Sequence, residues 1–158
     1  MHTKAEGIMI LYIDGDAFPN LLKPILVRSI ERLSLKTYVV SNKKITLGTK
    51  SKLVEYIIVD QGADEADHLI VEMVKEGDLV ITADIPLADR IISKNAHAID
   101  HRGELYSVDN IKQYLAIRNL MEKIRESGEM TKGPKAFSPK DAHQFANQLN
   151  SFLSKHHK

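Results

Sequence analysis

The sequence predicts an α/β fold, a three-layer α/β/α arrangement with a mainly parallel central sheet and further helices towards the C-terminus. Three observations predict it. Short apolar runs rich in β-forming residues recur through the first two thirds of the chain and stop at acidic turns. Segments of helical periodicity separate those runs, the alternation expected of parallel strands covered on both faces. A chain of 158 residues, 43% of them hydrophobic, is also sufficient for one compact domain that buries a continuous core without staples.

The elements follow in order. Ile8-Met9-Ile10-Leu11-Tyr12-Ile13 is an almost unbroken apolar run that reads as a strand buried on both faces, and it stops at Asp14-Gly15-Asp16. Pro19 and Pro24 punctuate the next stretch. Ile25, Leu26, Ser29, Ile30 and Leu33 then repeat at helical spacing, so a helix begins between Asn20 and Pro24. Strands follow at Thr37 to Val40 and at Tyr56-Ile57-Ile58-Val59, the second ending at Asp60. From Ala63 to Val74 a helix carries Ala66, Leu69, Ile70, Met73 and Val74 on one face. Leu79-Val80-Ile81 is a strand running into Thr82-Ala83-Asp84, a short helix covers about Leu87 to Lys94, and a strand covers His97 to Ile99.

Beyond Arg102-Gly103 the pattern becomes helical. Ile111 to Arg125 is a long amphipathic helix, and a Gly/Pro-punctuated segment runs from Gly128 to Pro134. Ser138-Pro139-Lys140-Asp141 marks another helix start, with Ser138 as N-cap, Pro139 at the first helical position and Asp141 reaching back. The expected domain spans residues 1–158. Residues 1–8 read as an extension, since Met9 offers an alternative start, and 107–154 form a helical part packed on the same domain.

Composition narrows the chemistry. The chain has no cysteine, which excludes disulfides, thiolate metal sites and cysteine nucleophiles. Met1 to Gly7 is polar and leads into only a short apolar run, so neither a signal peptide nor a membrane span is expected, and a cytoplasmic location is. A net charge of +1 provides no global field that would identify nucleic acid or membrane as partner. The seven histidines show no His-Glu-x-x-His pattern, and neither a P-loop nor a dinucleotide-type glycine motif occurs.

Position relative to the strands sorts the acids. Ligands of an open parallel sheet bind outside the carboxyl ends of its strands. Asp14, Asp16, Asp60, Asp84 and Asp100 all follow strands, whereas Asp78 precedes one and belongs at the opposite edge. Asp64 and Asp67 share one face at the start of a helix on the favoured edge, with Glu65 pointing elsewhere. If Asp14, Asp64 or Asp67, and Asp84 converge to about 5 Å, each like-charge pair costs roughly 3 kcal/mol at an effective dielectric near 20. A divalent cation, a raised pKa or a basic neighbour must offset that repulsion. Oxygen donors alone favour hard Mg²⁺ or Mn²⁺, which can polarise a phosphoryl oxygen and activate water. Competing structural roles are a turn for Asp14-Gly15, a helix-dipole role for Asp64 and Glu65, and a helix cap for Asp84. Thr82 reads either as a β-branched strand residue or as a hydroxyl that orients Asp84 or a water.

The motifs Tyr12-Ile13-Asp14-Gly15-Asp16-Ala17-Phe18-Pro19, Gly62-Ala63-Asp64-Glu65-Ala66-Asp67, Gly77 to Ala88 and Arg102-Gly103-Glu104 resemble the YaiI/YqxD family of uncharacterised bacterial proteins. The resemblance runs from about Met9 to Leu149. That family is similar to the PIN-domain superfamily, mostly metal-dependent ribonucleases that use acidic residues at one sheet edge. The resemblance implies a PIN-like domain with Asp14 as a metal ligand, an acid from the Asp64 to Asp67 helix, and Asp84 with Thr82. Asp16 and Asp89 are lesser candidates. The chain departs from the family pattern at Phe18, where cysteine is usual, and at Asp100-His101, where Asn-Pro is usual. It departs again at Lys132-Gly133-Pro134 and at Ala142.

The expected activity is therefore a Mg²⁺- or Mn²⁺-dependent nuclease or phosphodiesterase acting on RNA or DNA. Asp14, Asp64, Asp67, Asp84 and Thr82 are its catalytic candidates, and Asp14, Asp16, Asp64, Asp67 and Asp84 its metal ligands. RNA or another single-stranded nucleic acid is the expected partner. Lys43, Lys44, Lys50 and Lys52, in a basic segment without acids, and Arg102 are the candidate phosphate contacts. A solvated loop and ordinary ion pairing compete for those roles. Two other classes stay open. Asp14-Gly15-Asp16 after a strand also looks like a haloacid-dehalogenase-type nucleophile and acid/base pair, against which Phe18 counts; that reading requires a trappable phosphoryl-aspartate at Asp14. A non-catalytic domain binding RNA or a protein would bind without cleaving.

Overall fold

The computed structural model describes residues 8–60, 62, 64–128 and 135–157. Its strands are β1 (Leu11–Asp14), β2 (Thr37–Ser41), β3 (Val54–Ile58), β4 (Leu79–Ile81), β5 (His97–Ile99) and β6 (Leu105–Tyr106). Its helices are α1 (Lys23–Leu33), α2 (Glu65–Met73), α3 (Ile85–Ser93), α4 (Val108–Glu126) and α5 (Pro139–His156). A short 3₁₀ turn at Asn20–Leu22 leads into α1. No helix among the described residues is long and apolar enough to cross a membrane.

The strands form one sheet in the order β3-β2-β1-β4-β5-β6, parallel except for β6, which runs antiparallel to β5. Side-chain alternation divides the interior into two cores. Leu11, Ile13, Val39, Leu79, Ile81 and Ile99 face α1 and α5, with Leu26, Ile30, Phe145 and Leu149 packed against them. Tyr12, Val40, Val80 and Ala98 face the other way, onto Ile70, Leu87, Ile91 and Ile111 of α2, α3 and α4. This is the three-layer α/β/α arrangement that the alternation predicts, with α5 placed on the sheet beside α1.

Differences from the sequence reading have local causes. β1 starts at Leu11 rather than Ile8, and the Ile10 N–H is taken by the Asp78 carboxylate at 3.1 Å rather than by a neighbouring strand. Asp78, fully buried, sits at the amino edge as expected and also accepts the Lys75 N–H. β3 begins two residues earlier than its apolar run, because Val54 and Glu55 pair with Thr37 and Tyr38 of β2, and as the edge strand it leaves Ile58 exposed. α3 begins at Ile85, since Asp84 caps it and Pro86 fits its first turn. α4 begins at Val108 through a Ser107–Asn110 capping box. The box of α5, Ser138 with Asp141, forms as predicted. Residue 63 and the Gly/Pro-punctuated stretch from 129 to 134 lie outside the described residues.

The strand order reverses between β1 and β4. Chain leaving β1 continues through α1 to β2 on one side, and chain from β4 continues through α3 to β5 on the other. Such a switch point leaves a crevice outside the carboxyl ends of the two strands. Asp14 ends β1 and Asp84 follows β4, so the two flank that crevice.

Candidate functional site: an acidic cleft at the switch point

A cleft of about 370 Å³ opens there, and Asp14, Asp16, Asp64, Asp67 and Asp84 all line it, with Asn42 and His101. The turn after β1 makes this geometry. Gly15 passes so close to β2 that an added Cβ would lie 3.0 Å from the Ser41 Cβ and 3.3 Å from the Val40 carbonyl oxygen. The Gly15 N–H donates to that carbonyl at 2.8 Å. Ala17 and Asp64, both on the cleft wall, hold φ of 57° and 69°. A side-chain-bearing residue in this left-handed region costs on the order of 1 kcal/mol, so the fold supports strain where the acids gather.

A hydrogen-bond chain fixes Asp14 and Asp84. The Thr82 hydroxyl, fully buried, donates to Asp14 Oδ2 at 2.8 Å and accepts the Asp84 N–H at 3.0 Å. Asp84 Oδ1 accepts the Leu87 N–H at 3.1 Å and so caps α3. Asp84 thus has the cap role while still lining the cleft. Thr82 orients Asp14, not the Asp84 side chain. Asp16 is partly engaged, its carboxylate accepting the Asn42 N–H at 2.9 Å.

Two carboxyls hold protons unusually tightly. Burial pushes Asp14 up to about 6, with the charges of Asp16 and Asp84 adding to it and hydrogen bonds from Thr82 and the Asp16 backbone opposing it. Burial also pushes Asp67 up to about 7, reinforced by the charges of Asp84, Asp14 and Asp64 and by a hydrogen bond to Asp84 that favours the protonated form. Mutual repulsion among the acids is therefore expressed partly as raised pKa. No three acidic or imidazole side chains among the described residues stand at once within reach of one metal ion.

Two site residues escape the sequence reading. Asn42 Oδ1 and His101 Nε2 are buried without a hydrogen-bond partner among the described residues, and both residues line this cleft. Buried polar atoms are nearly always satisfied by protein or water, so these two atoms are open to a water or a ligand in the cleft. Burial, with help from Arg102, pushes the His101 imidazole down to about 4, so it is neutral at physiological pH. Phe18 packs edge-on against it at 5.2 Å between ring centres. Two departures from the family pattern therefore touch each other.

The candidate phosphate contacts separate. Lys43 and Lys44 follow Asn42 at the carboxyl edge, beside the cleft, whereas Lys50 and Lys52 lie just before β3 at the opposite edge; all four are exposed. Arg102 is occupied. Its guanidinium donates to Asp141 Oδ2 at 2.5 Å and to the Lys135 carbonyl at 2.6 Å, tying the β5–β6 turn to the start of α5. Asp89 pairs with Lys112 at 3.3 Å, away from the cleft.

Comparison with known proteins gives the same family as the motifs. Residues 12–155 match the uncharacterised YaiI/YqxD family. A UPF0178 protein of Sulfurimonas denitrificans is 80% identical over 93% of this chain and 97% of its own. One from Sulfurovum sp. is 76% identical over 93% and 99%, and one from Maridesulfovibrio salexigens is 47% identical over 93% and 97%. Among solved structures, the homospermidine synthase of Legionella pneumophila in complex with NAD is similar over 80% of this chain and 35% of its own. At 11% identity and a TM-score of 0.43, that likeness carries no argument. With its motifs, its length and its relatives in agreement, the chain belongs to the YaiI/YqxD family of uncharacterised bacterial proteins.

Proposed function

We propose that this chain is a Mg²⁺- or Mn²⁺-dependent phosphodiesterase that cleaves RNA or another single-stranded nucleic acid at the acidic cleft, as a PIN-like nuclease would. The observation that carries this reading is the gathering of Asp14, Asp67 and Asp84 at the switch point, with two carboxyls pushed up to about 6 and 7. Such a cluster would repel a phosphodiester unless a cation offset its charge. The oxygen donors suit a hard divalent ion: the carboxylates of Asp14, Asp67 and Asp84 and the amide oxygen of Asn42. The carboxylates would have to turn inward to grasp it.

When bound, such an ion supplies Lewis acidity at a phosphoryl oxygen and lowers the pKa of coordinated water. The chain's own residues do the rest. Thr82 holds Asp14 in place, and the cap to Leu87 does the same for Asp84. Asp67, which holds its proton to about pH 7 in the metal-free cleft, would give that proton up to serve as an anionic ligand. Asp64 and Asp16 line the same cleft and would border a bound ion, and Lys43 and Lys44 offer charge to an approaching strand. A phosphoryl-aspartate mechanism is less well supported, because the Asp16 carboxylate it would use as acid/base accepts the Asn42 N–H.

The test is cleavage of an end-labelled single-stranded RNA with Mn²⁺ and with chelator. Metal-dependent cleavage is expected, reduced at least about 100-fold by Asp14→Asn or Asp84→Asn. RNA binding with no cleavage in any divalent ion would replace this reading with the non-catalytic one.

A further inference from the structure

A second concavity lies on the α1/α5 layer, away from the acids. It measures about 730 Å³ and runs between α1 and the C-terminal half of α5. Arg28 and Arg32 stand one helical turn apart on its α1 wall, exposed, with no carboxylate paired to either among the described residues. Like charges at this spacing disfavour the helix slightly. Arg32 suits the negative end of α1, which explains one arginine but not both. Ser29 lies between them in sequence, 4% exposed, and lines the groove. Asn150 and Ser154 face the arginines from α5, and Ile25 and Leu153 give the groove an apolar floor.

No acid lines this groove, so its two arginines are the charged groups of its wall although the whole chain is nearly neutral. Paired guanidinium forks match phosphate oxygens, the Ser29 hydroxyl on the groove wall adds a further donor, and an apolar floor accepts a flat ring. The volume falls within the range of small-molecule sites. We propose that the α1–α5 groove binds a nucleoside phosphate, with its phosphate on Arg28, Arg32 and Ser29 and its base over Ile25 and Leu153. This site is separate from the acidic cleft and does not depend on the function proposed for it. The ligand is either a free nucleotide or one unit of an RNA strand.

Calorimetric titration of the full chain with each of the four ribonucleoside 5′-monophosphates tests this, with the nucleosides and inorganic phosphate alongside. At least one monophosphate binds, and its nucleoside and phosphate alone each bind at least about tenfold more weakly. The exposed double substitution Arg28→Gln and Arg32→Gln weakens that binding at least about tenfold, while Asp84→Asn in the cleft leaves it unchanged. A short single-stranded RNA that displaces the nucleotide assigns the site to a strand; failure to displace assigns it to the free nucleotide. Either result upholds the site. No binding at millimolar nucleotide, binding unchanged in the double variant whose circular dichroism is native, or phosphate binding as tightly as nucleotide would each overturn it.

Discussion

Asp67 shows how a single carboxyl can record the purpose of a site. Its pKa of about 7 exceeds the value an unfolded chain would give, so the native state holds its proton longer. Below about pH 4 both states are protonated and nothing is lost. As pH rises from 4 to 7 the unfolded state releases its proton first, and native stability falls; above 7 the loss is complete. Asp67→Asn should therefore stabilise the metal-free protein at pH 8 by about 1 kcal/mol, a figure discounted because Asp67 is partly exposed, and leave it unchanged at pH 4. Chemical denaturation at the two pH values checks this. Thr82→Val should cost about 1–2 kcal/mol, since it removes the donor to Asp14 and strands the Asp84 N–H. The acids themselves were legible from their places after strands. Asn42 and His101 were not, because only burial without a partner marks them, and sequence carries no sign of that.

Elements position these residues through close approaches of the backbone. Gly103, at φ 93°, lies against α5 so tightly that an added Cβ would come within 2.6 Å of the Gln144 carbonyl oxygen. Gly103→Ala should destabilise the chain by about 1–3 kcal/mol, read from thermal unfolding, by forcing α5 and the Arg102–Asp141 contact outward. Strands β4 and β5 were legible to the residue, because each is a short apolar run bounded by polar turns. β6 was invisible: two residues cannot show a period, and its pairing depends on a turn in which Asp100 accepts the Arg102 and Glu104 N–H groups. Helix starts were missed by two or three residues where the cap, rather than the first apolar position, sets the boundary, as at Asp84 and Ser107.

Across the whole molecule, the acidic cleft follows from topology. Alternating strands and helices announce a parallel sheet, but the order β3-β2-β1-β4-β5 is a matter of long-range pairing that no local pattern carries. That order puts Asp14 and Asp84 on neighbouring strands and brings the start of α2 over them, which turns scattered acids into one cleft. An ion grasped there must displace protons from Asp14 and Asp67, so its affinity should rise with pH between about 6 and 8. The measurement closest to the central claim is Mn²⁺ calorimetry at pH 6.5 in two buffers of different ionisation enthalpy. The account predicts binding with net proton release, lost in both Asp14→Asn and Asp84→Asn. Absence of Mn²⁺ binding, or binding that neither substitution weakens, would contradict it.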